Sequence, residues 1–223
     1  MPLSYKDTSQ PAVEPVLLAL AKQQLVLDAG FTADDTYITG LITGARERVE
    51  KIMNRAIYNR TMQRFLDFFP FPDYSGTVNP NDRHCLYGTF WHSMTIRLPR
   101  PNCVSVQSIQ YVDLSNTTQT VDPSTYSVHV NSEPARIVPL NGCYWPYTQN
   151  YLPDSVTISY TAGSYGDGVA VDTCPQTIKI AMLLLISHDY NYRDAVDSKV
   201  YQNLIDRVTG MLEPYSFETF GFD

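Results

Sequence analysis

The chain reads as an α+β protein: a small four-helix bundle built from its N- and C-terminal thirds, a central antiparallel β insertion, and an extended C-terminal tail. Three observations predict this. Apolar residues recur at helical spacing through residues 16–53 and again through 178–212. After Ala56 the period shortens to runs of a few alternating residues separated by turn formers. The 15 prolines are concentrated at those turns. The expected parts are residues 1–56 (N-terminal helices), 57–161 (β insertion), 162–214 (helices completing the bundle) and 215–223 (tail).

Residues 1–14 carry Pro2 and Pro11, are polar, and predict an extended lead-in. Val16 to Asp28, with Leu17, Leu18, Leu20, Ala21, Leu25 and Leu27, predicts a short helix stopped near Gly30. Asp34 and Asp35 open a second helix, where acid favours the dipole. Ile38, Leu41, Ile42, Ala45, Val49, Ile52 and Met53 then form one apolar stripe. Tyr58, Met62, Phe65, Phe68 and Phe69 belong to a strand-like run, followed by a Pro-, Gly- and Asn-rich loop over 70–89. Further strands are expected over 90–98, 104–114, 117–121, 126–130, 136–138 and 156–161. Pro175 suits a helix start, Ile178 to Tyr192 is apolar nearly all round and predicts a central buried helix, and Val196, Val200, Leu204, Val208 and Leu212 form a ladder that Pro214 ends.

Composition narrows the function classes. At 223 residues the chain is long enough to bury a core without staples. No apolar run is long enough to span a bilayer, and the N-terminus lacks a signal-peptide pattern, so neither membrane association nor export is expected. A net charge of −7 argues against a nucleic-acid-gripping surface. The charge is uneven. Segment 34–64 has six cations against four acids, and segment 189–223 has three cations against seven acids. Opposite local charges suit subunit contacts. Cys85, Cys103, Cys143 and Cys174 are widely spaced with no C-x-x-C, which predicts free, mostly buried thiols rather than a metal or redox site.

No motif points to catalysis. Gly163, Gly166 and Gly168 lie between a strand and a helix, but the G-K-[ST] ending of a phosphate loop is missing and Asp167 would repel phosphate. A turn needing positive φ is the expected role. His84, His92, His129 and His188 lack metal-ligand spacing, and there is no G-x-S-x-G elbow. No cofactor and no metal are expected. Two aromatic groups stand out, Tyr144, Trp145, Tyr147 and Tyr151, and Phe68, Phe69, Phe71 and Tyr74; packing of the sheet's own core and a protein interface are both open readings. In the tail, Phe217, Phe220 and Phe222 lie past the last helix, to fold back or dock on a neighbour.

The order of several stretches resembles a known family. They are Ala19-Leu20-Ala21-Lys22, then Asp34-Asp35 with Ile38, Ile42, Ala45 and Val49, then Ile96-Arg97-Leu98-Pro99-Arg100-Pro101. Val106-Gln107-Ser108-Ile109, Asp122-Pro123-Ser124-Thr125-Tyr126 and Ala135-Arg136-Ile137 follow. Val156 to Gly163, Pro175 with Ile178-Lys179, Ala181 to Leu185, His188-Asp189-Tyr190, Arg193-Asp194 and Leu212-Glu213-Pro214-Tyr215 complete the set. In this order the chain resembles the head–tail connector (adaptor) proteins of tailed bacteriophages. The resemblance implies a non-enzymatic virion protein of the neck, made in the host bacterial cytoplasm. It implies a homo-oligomeric ring, usually of twelve copies, below the portal protein. Such a ring extends the DNA channel, passes double-stranded DNA without specific binding, and docks a stopper or tail-tube protein. Within that expectation, Arg46, Arg48 and Arg55 are candidates for contacts with a neighbouring subunit or the portal. Asp194, Asp197 and Asp206 are their candidate partners across the seam, and Tyr215, Phe217, Phe220 and Phe222 are candidates for anchoring the tail in the portal. The alternatives are a tail-completion or stopper protein and, in a different class, a carbohydrate-binding module or hydrolase using the aromatic loops.

Overall fold

A computed structural model describes residues 5–70, 94–149, 152–193 and 198–217. Among them the chain runs through β1 (Tyr5–Asp7), α1 (Leu18–Gln24), α2 (Asp35–Met53), β2 (Arg60–Leu66), β3 (Ile96–Arg97), β4 (Cys103–Val112), β5 (Thr118–Thr120), β6 (Tyr126–His129), β7 (Arg136–Pro139), β8 (Val156–Ala162), α3 (Gln176–Asn191) and α4 (Ser198–Leu212). The expected 70–89 loop, the start of the 90–98 strand, His84, His92 and Cys85 lie outside the described residues.

This corrects the expected fold class. The described chain is four helices with eight strands in two antiparallel sheets, not a small four-helix bundle with a single central β insertion. The physical reason lies in the lead-in. Tyr5, Lys6 and Asp7 pair with Arg64, Gln63 and Met62, so the N-terminal segment completes a sheet instead of leading into helices. Two compact units result, one from Met1–Gln10 with Arg60–Ala162, the other from Pro11–Asn59 with Gly163–Asp223.

In the β unit the larger sheet has the order β1-β2-β8-β4-β5 and the smaller β3-β7-β6. Strand β8 is central, and Val156, Ile158, Tyr160 and Ala162 alternate inward, all fully buried. Cross-strand partners share a sheet face. In β2, therefore, Met62, Arg64 and Leu66, opposite Tyr160, Ile158 and Val156, face the core side, and Phe65 faces away. In β4 the inward positions change parity twice, from Cys103 to Val106 and then to Ile109 and Tyr111, which stand opposite Ala162, Tyr160, Ile158 and Val156. Register shifts between Cys103 and Ser105 and between Val106 and Ser108 absorb the changes. Under the smaller sheet Trp145 stacks on Phe69 at 5.1 Å and 6°, and its Nε1 donates to the Met94 carbonyl at 2.7 Å.

In the helical unit the α2 stripe Ile38, Ile42, Ala45, Val49 and Met53 packs with Ile178, Ala181, Met182, Leu185 and Ile186 of α3 and with Val208 and Leu212 of α4. Helix α2 ends because Asn54 turns left-handed at φ 53, with its N–H bonded to the Glu50 carbonyl. Helix α1 is shorter than expected. It closes at Leu25, and Val26 follows in the left-handed region at φ 57 with 90% of its surface exposed. Pro175, expected as the first helical residue, stands at the N-cap of α3, one position before its first residue Gln176. Helix α3 is less enclosed than its composition suggests: Ile180 is 47% exposed.

Candidate functional site

The basic segment expected to carry contacts is α2 and the turn after it: Arg46 and Arg48 lie on the helix, Arg55 lies beyond its end rather than on it as expected, and the three have three different environments. Arg46 is fully buried. Its Nε donates to Glu14 Oε2 at 2.9 Å and its Nη1 to Glu50 Oε2 at 3.0 Å. Glu14 also accepts from Thr43 Oγ1 at 3.0 Å, and Glu50 Oε1 accepts from the Ile57 N–H at 2.9 Å. One guanidinium therefore ties the lead-in, α2 and the turn after it together. A buried cation needs such compensation, because losing water without a counter-charge is costly. Arg46 is held inside its own chain.

Arg48, on the next face, is half exposed and pairs with Asp189 of α3 at 2.7 Å. A pair this accessible contributes little to stability and is open to competition from another acid. Arg55 follows the helix, and its guanidinium lies 5.9 Å from the Phe217 ring centre.

The acidic partners divide in the same way. Asp206 is exposed on α4 and accepts from Gln202 Nε2 at 2.8 Å. Asp194 and Asp197 lie outside the described residues. Among the α4 residues whose burial is described, Leu204, Ile205, Val208, Met211 and Leu212 turn inward, and the opposite face is exposed, including Val200 and Tyr201.

The start of the tail folds back. After α4 comes a 3₁₀ turn at Glu213–Tyr215, and Tyr215 packs against the helical core. The Phe217 N–H donates to the Met53 carbonyl at 2.8 Å, and Asn54 Nδ2 reaches the Phe217 carbonyl at 3.5 Å. An orphan carbonyl at the C-terminal end of α2 is thus satisfied by the tail. Phe220 and Phe222 lie outside the described residues.

One cluster was not legible as such in the sequence. Asp34 accepts from Tyr190 Oη at 2.6 Å and from Arg193 Nη2 at 2.9 Å. The Arg193 guanidinium sits 4.7 Å from the Tyr37 ring centre and 5.0 Å from that of Tyr190. The two hydrogen bonds, Tyr190 first, hold the Asp34 carboxyl below its usual range. Acid before a helix reads as a dipole partner; what binds its side chain depends on Tyr190 and Arg193, 156 and 159 residues on, which no local pattern encodes.

The glycine loop is a built turn. Gly166 and Gly168 have φ of 87° and 76°. Asp167 Oδ1 accepts from the Val169, Ala170 and Val171 N–H groups at 3.0, 2.9 and 2.9 Å, and these bonds hold its carboxyl low. The amides a phosphate would use are already occupied by a carboxylate. Hydrogen bonds within the chain likewise hold Asp113, Asp122 and Asp172 low, as befits turn and ion-pair residues.

Of the aromatic loop, Trp145 is 4% exposed and belongs to the core, whereas Tyr144 and Tyr147 are 69% and 73% exposed. Cys103, Cys143 and Cys174 are free thiols. Burial pushes Cys103 up to about 11 and Cys174 up to about 12. Among the described residues no cluster of His, Cys, Asp and Glu is arranged to hold a metal ion, and no helix is long and apolar enough to cross a membrane.

No protein-family model matches the chain, and no curated protein matches it. Solved structures do. A chain in the neck of an empty gene transfer agent (GTA) particle, computed with C6 symmetry, is 16% identical with a TM-score of 0.67, covering 99% of this chain and 98% of that one. A chain in the virion of the native GTA particle has the same identity of 16% and TM-score of 0.67, covering 98% of each. A chain in the neck of the native GTA particle, computed with C12 symmetry, is 18% identical with a TM-score of 0.62, covering 100% and 99%. The protein described here therefore shares, over nearly all of its length, the fold of chains in GTA particle necks.

Proposed function

We propose that this chain is a structural protein of a virion neck: a head–tail adaptor that forms a ring, extends the channel for double-stranded DNA, and docks a stopper or tail. The observation that carries this reading is the full-length fold likeness to GTA neck chains at TM-scores of 0.67 and 0.62. Those necks were computed with C6 and C12 symmetry. Sixfold symmetry is contained in twelvefold symmetry, which supports a ring of twelve copies. In a closed ring one face of each subunit meets a different face of its neighbour. Arg48 and Asp206, both accessible, are the proposed ring contacts, with Arg55, Asp194 and Asp197 as further candidates. Phe220 and Phe222 are the proposed portal anchors, while Tyr215 and Phe217 brace the tail's root. The net charge of −7 suits a conduit, since DNA passing an acidic surface is not retained. In this reading the function rests on association and not on catalysis.

The test is deletion of the gene followed by imaging of the particles. Normal capsids, full or leaking, without attached tails are expected; complete tailed virions overturn the proposal. Capture of the purified chain by portal protein separates an adaptor from a stopper placed one layer lower. A Phe220→Ala, Phe222→Ala double variant is expected to lose that capture while keeping its fold.

A further inference from the structure

Strand β2 places a cation where its neighbours are apolar. Arg64 stands opposite Ile158, between Met62 and Leu66 on the core-facing side of the larger sheet. Its Nε and Nη1 are buried, and neither donates a hydrogen bond. The charge feels its surroundings: burial lowers the guanidinium to about 10. The side chain as a whole is only partly buried, but a sheet rarely sets a cation with two buried, unbonded nitrogens among apolar neighbours, because an apolar residue of similar volume fits as well.

Arg64 also lines a cavity of about 240 Å³. Leu66, Phe68, Pro70 and Ile96 form apolar walls, and Phe68, 59% exposed, forms a lip. Asp67 lines it too, but its Oδ1 accepts from the Asp154 N–H at 3.0 Å and makes no ion pair with Arg64. The cavity falls below the roughly 300 Å³ at which pockets for cofactors and drug-sized ligands begin. It has room for about one side chain with a charged head and an aliphatic stem.

We infer that the Arg64 cavity is a recognition pocket for a carboxylate side chain presented by a partner protein segment. The planar guanidinium fork matches a carboxylate's two oxygens, and the apolar walls match its methylene stem. An apolar residue flanking the acid would lie against Phe68. Phosphate fits less well, because its second negative charge would face Asp67, and a DNA duplex is too wide to enter. The pocket is built by a single chain, so this inference stands independently of the neck reading.

The experiment uses the full-length chain, isotope-labelled so that the Arg64 Nε–H signal is observed by NMR. Two peptides serve as probes, acetyl-Leu-Glu-Leu-amide and acetyl-Leu-Gln-Leu-amide, with inorganic phosphate and isovalerate as further arms. Saturable shifts of Arg64 and Ile96 are expected with the Glu peptide, about tenfold weaker with the Gln peptide. Read at Ile96, since the Arg64 signal is gone, Arg64→Met is expected to abolish the shifts while melting at or above the parent's temperature. Arg64→Lys, which keeps the charge without the fork, is expected to bind about tenfold more weakly in an intact fold. Equal binding of both peptides, or tighter binding of phosphate, overturns the inference. Binding of isovalerate with none of the Glu peptide overturns the protein-segment assignment in favour of a small-molecule site. A melting temperature that collapses in both Arg64 variants makes the arginine structural and overturns it as well.

Discussion

Replacing Arg46 tests whether the helical unit depends on its buried ion network. Arg46 is fully buried, and Glu50, whose side chain is 3% exposed, loses its cation in Arg46→Met. The Glu50 carboxylate keeps the bond from the Ile57 N–H at 2.9 Å but loses the guanidinium at 3.0 Å. Glu14, with a side chain 26% exposed, is partly rescued by water. Breaking a buried pair from one side costs about 3–5 kcal/mol. For a chain of this length that corresponds to a fall in Tm of about 6–20 °C. Adding Glu50→Gln removes the stranded charge while leaving an oxygen for the Ile57 N–H, so the double variant should recover about 1–3 kcal/mol relative to additivity. Urea unfolding of the isolated chain, followed by far-ultraviolet circular dichroism, measures both. An Arg46→Met protein within about 0.5 kcal/mol of the parent, with no coupling to Glu50, refutes the reasoning. That same result, joined to a loss of assembly, would mean that Arg46 is held for a neighbouring subunit.

Four further outcomes are expected. Asp34 is held low by Tyr190 and Arg193, so its contribution is fully present above the unfolded carboxyl pKa of about 3.9 and is lost as pH falls through the folded value. Asp34→Asn should therefore flatten the decline of the urea midpoint on acidification below about pH 5, and parallel profiles would contradict this. Gly168→Ala would put a Cβ 2.5 Å from Val13 Cγ2 and 2.7 Å from Tyr58 Cε2 at a φ of 76°, and should cost about 1–3 kcal/mol on denaturant unfolding. Trp145→Ala removes the Phe69 stack and the bond to the Met94 carbonyl, and should lose about 3–5 kcal/mol by the same assay. Cys103 and Cys174, pushed up to about 11 and about 12, should resist an aromatic disulfide reagent at mildly alkaline pH until the chain is unfolded, with mass spectrometry locating the labels.

Periodicity was enough for the long elements. The stripe from Ile38 to Met53 needs only a helix to gather on one side, and it predicts α2 nearly to the residue. The alternation of Val156, Ile158 and Tyr160 predicts β8. The three residues of β1 carry no such signal. They become a strand because β2 offers an open edge, and that pairing turns the expected single insertion into a unit drawn from two parts of the chain. In β2 the sequence predicts a strand-like run without its facing, and register against β8 places Arg64 on the core-facing side and Phe65 on the other. A one-residue change in register reverses every side chain, and only the partner strand decides it.

The candidate contacts divide along the same line. The sequence by itself determined that α2 is basic and that the chain after residue 189 is acidic, because charge is a local property of composition. It also determined that the glycine loop is a turn, since Asp167 sits among the amides it binds. Which charges remain for a partner was decided only by tertiary structure. Arg46 meets Glu14 and Glu50 inside the core, Arg48 meets Asp189 at the surface, and Asp206 stays exposed. Arg64 was one of six cations in a basic segment until folding buried its Nε and Nη1. Desolvation and pairing are set by groups distant in the chain, so the same residue type is a core brace at one position and an available contact at the next.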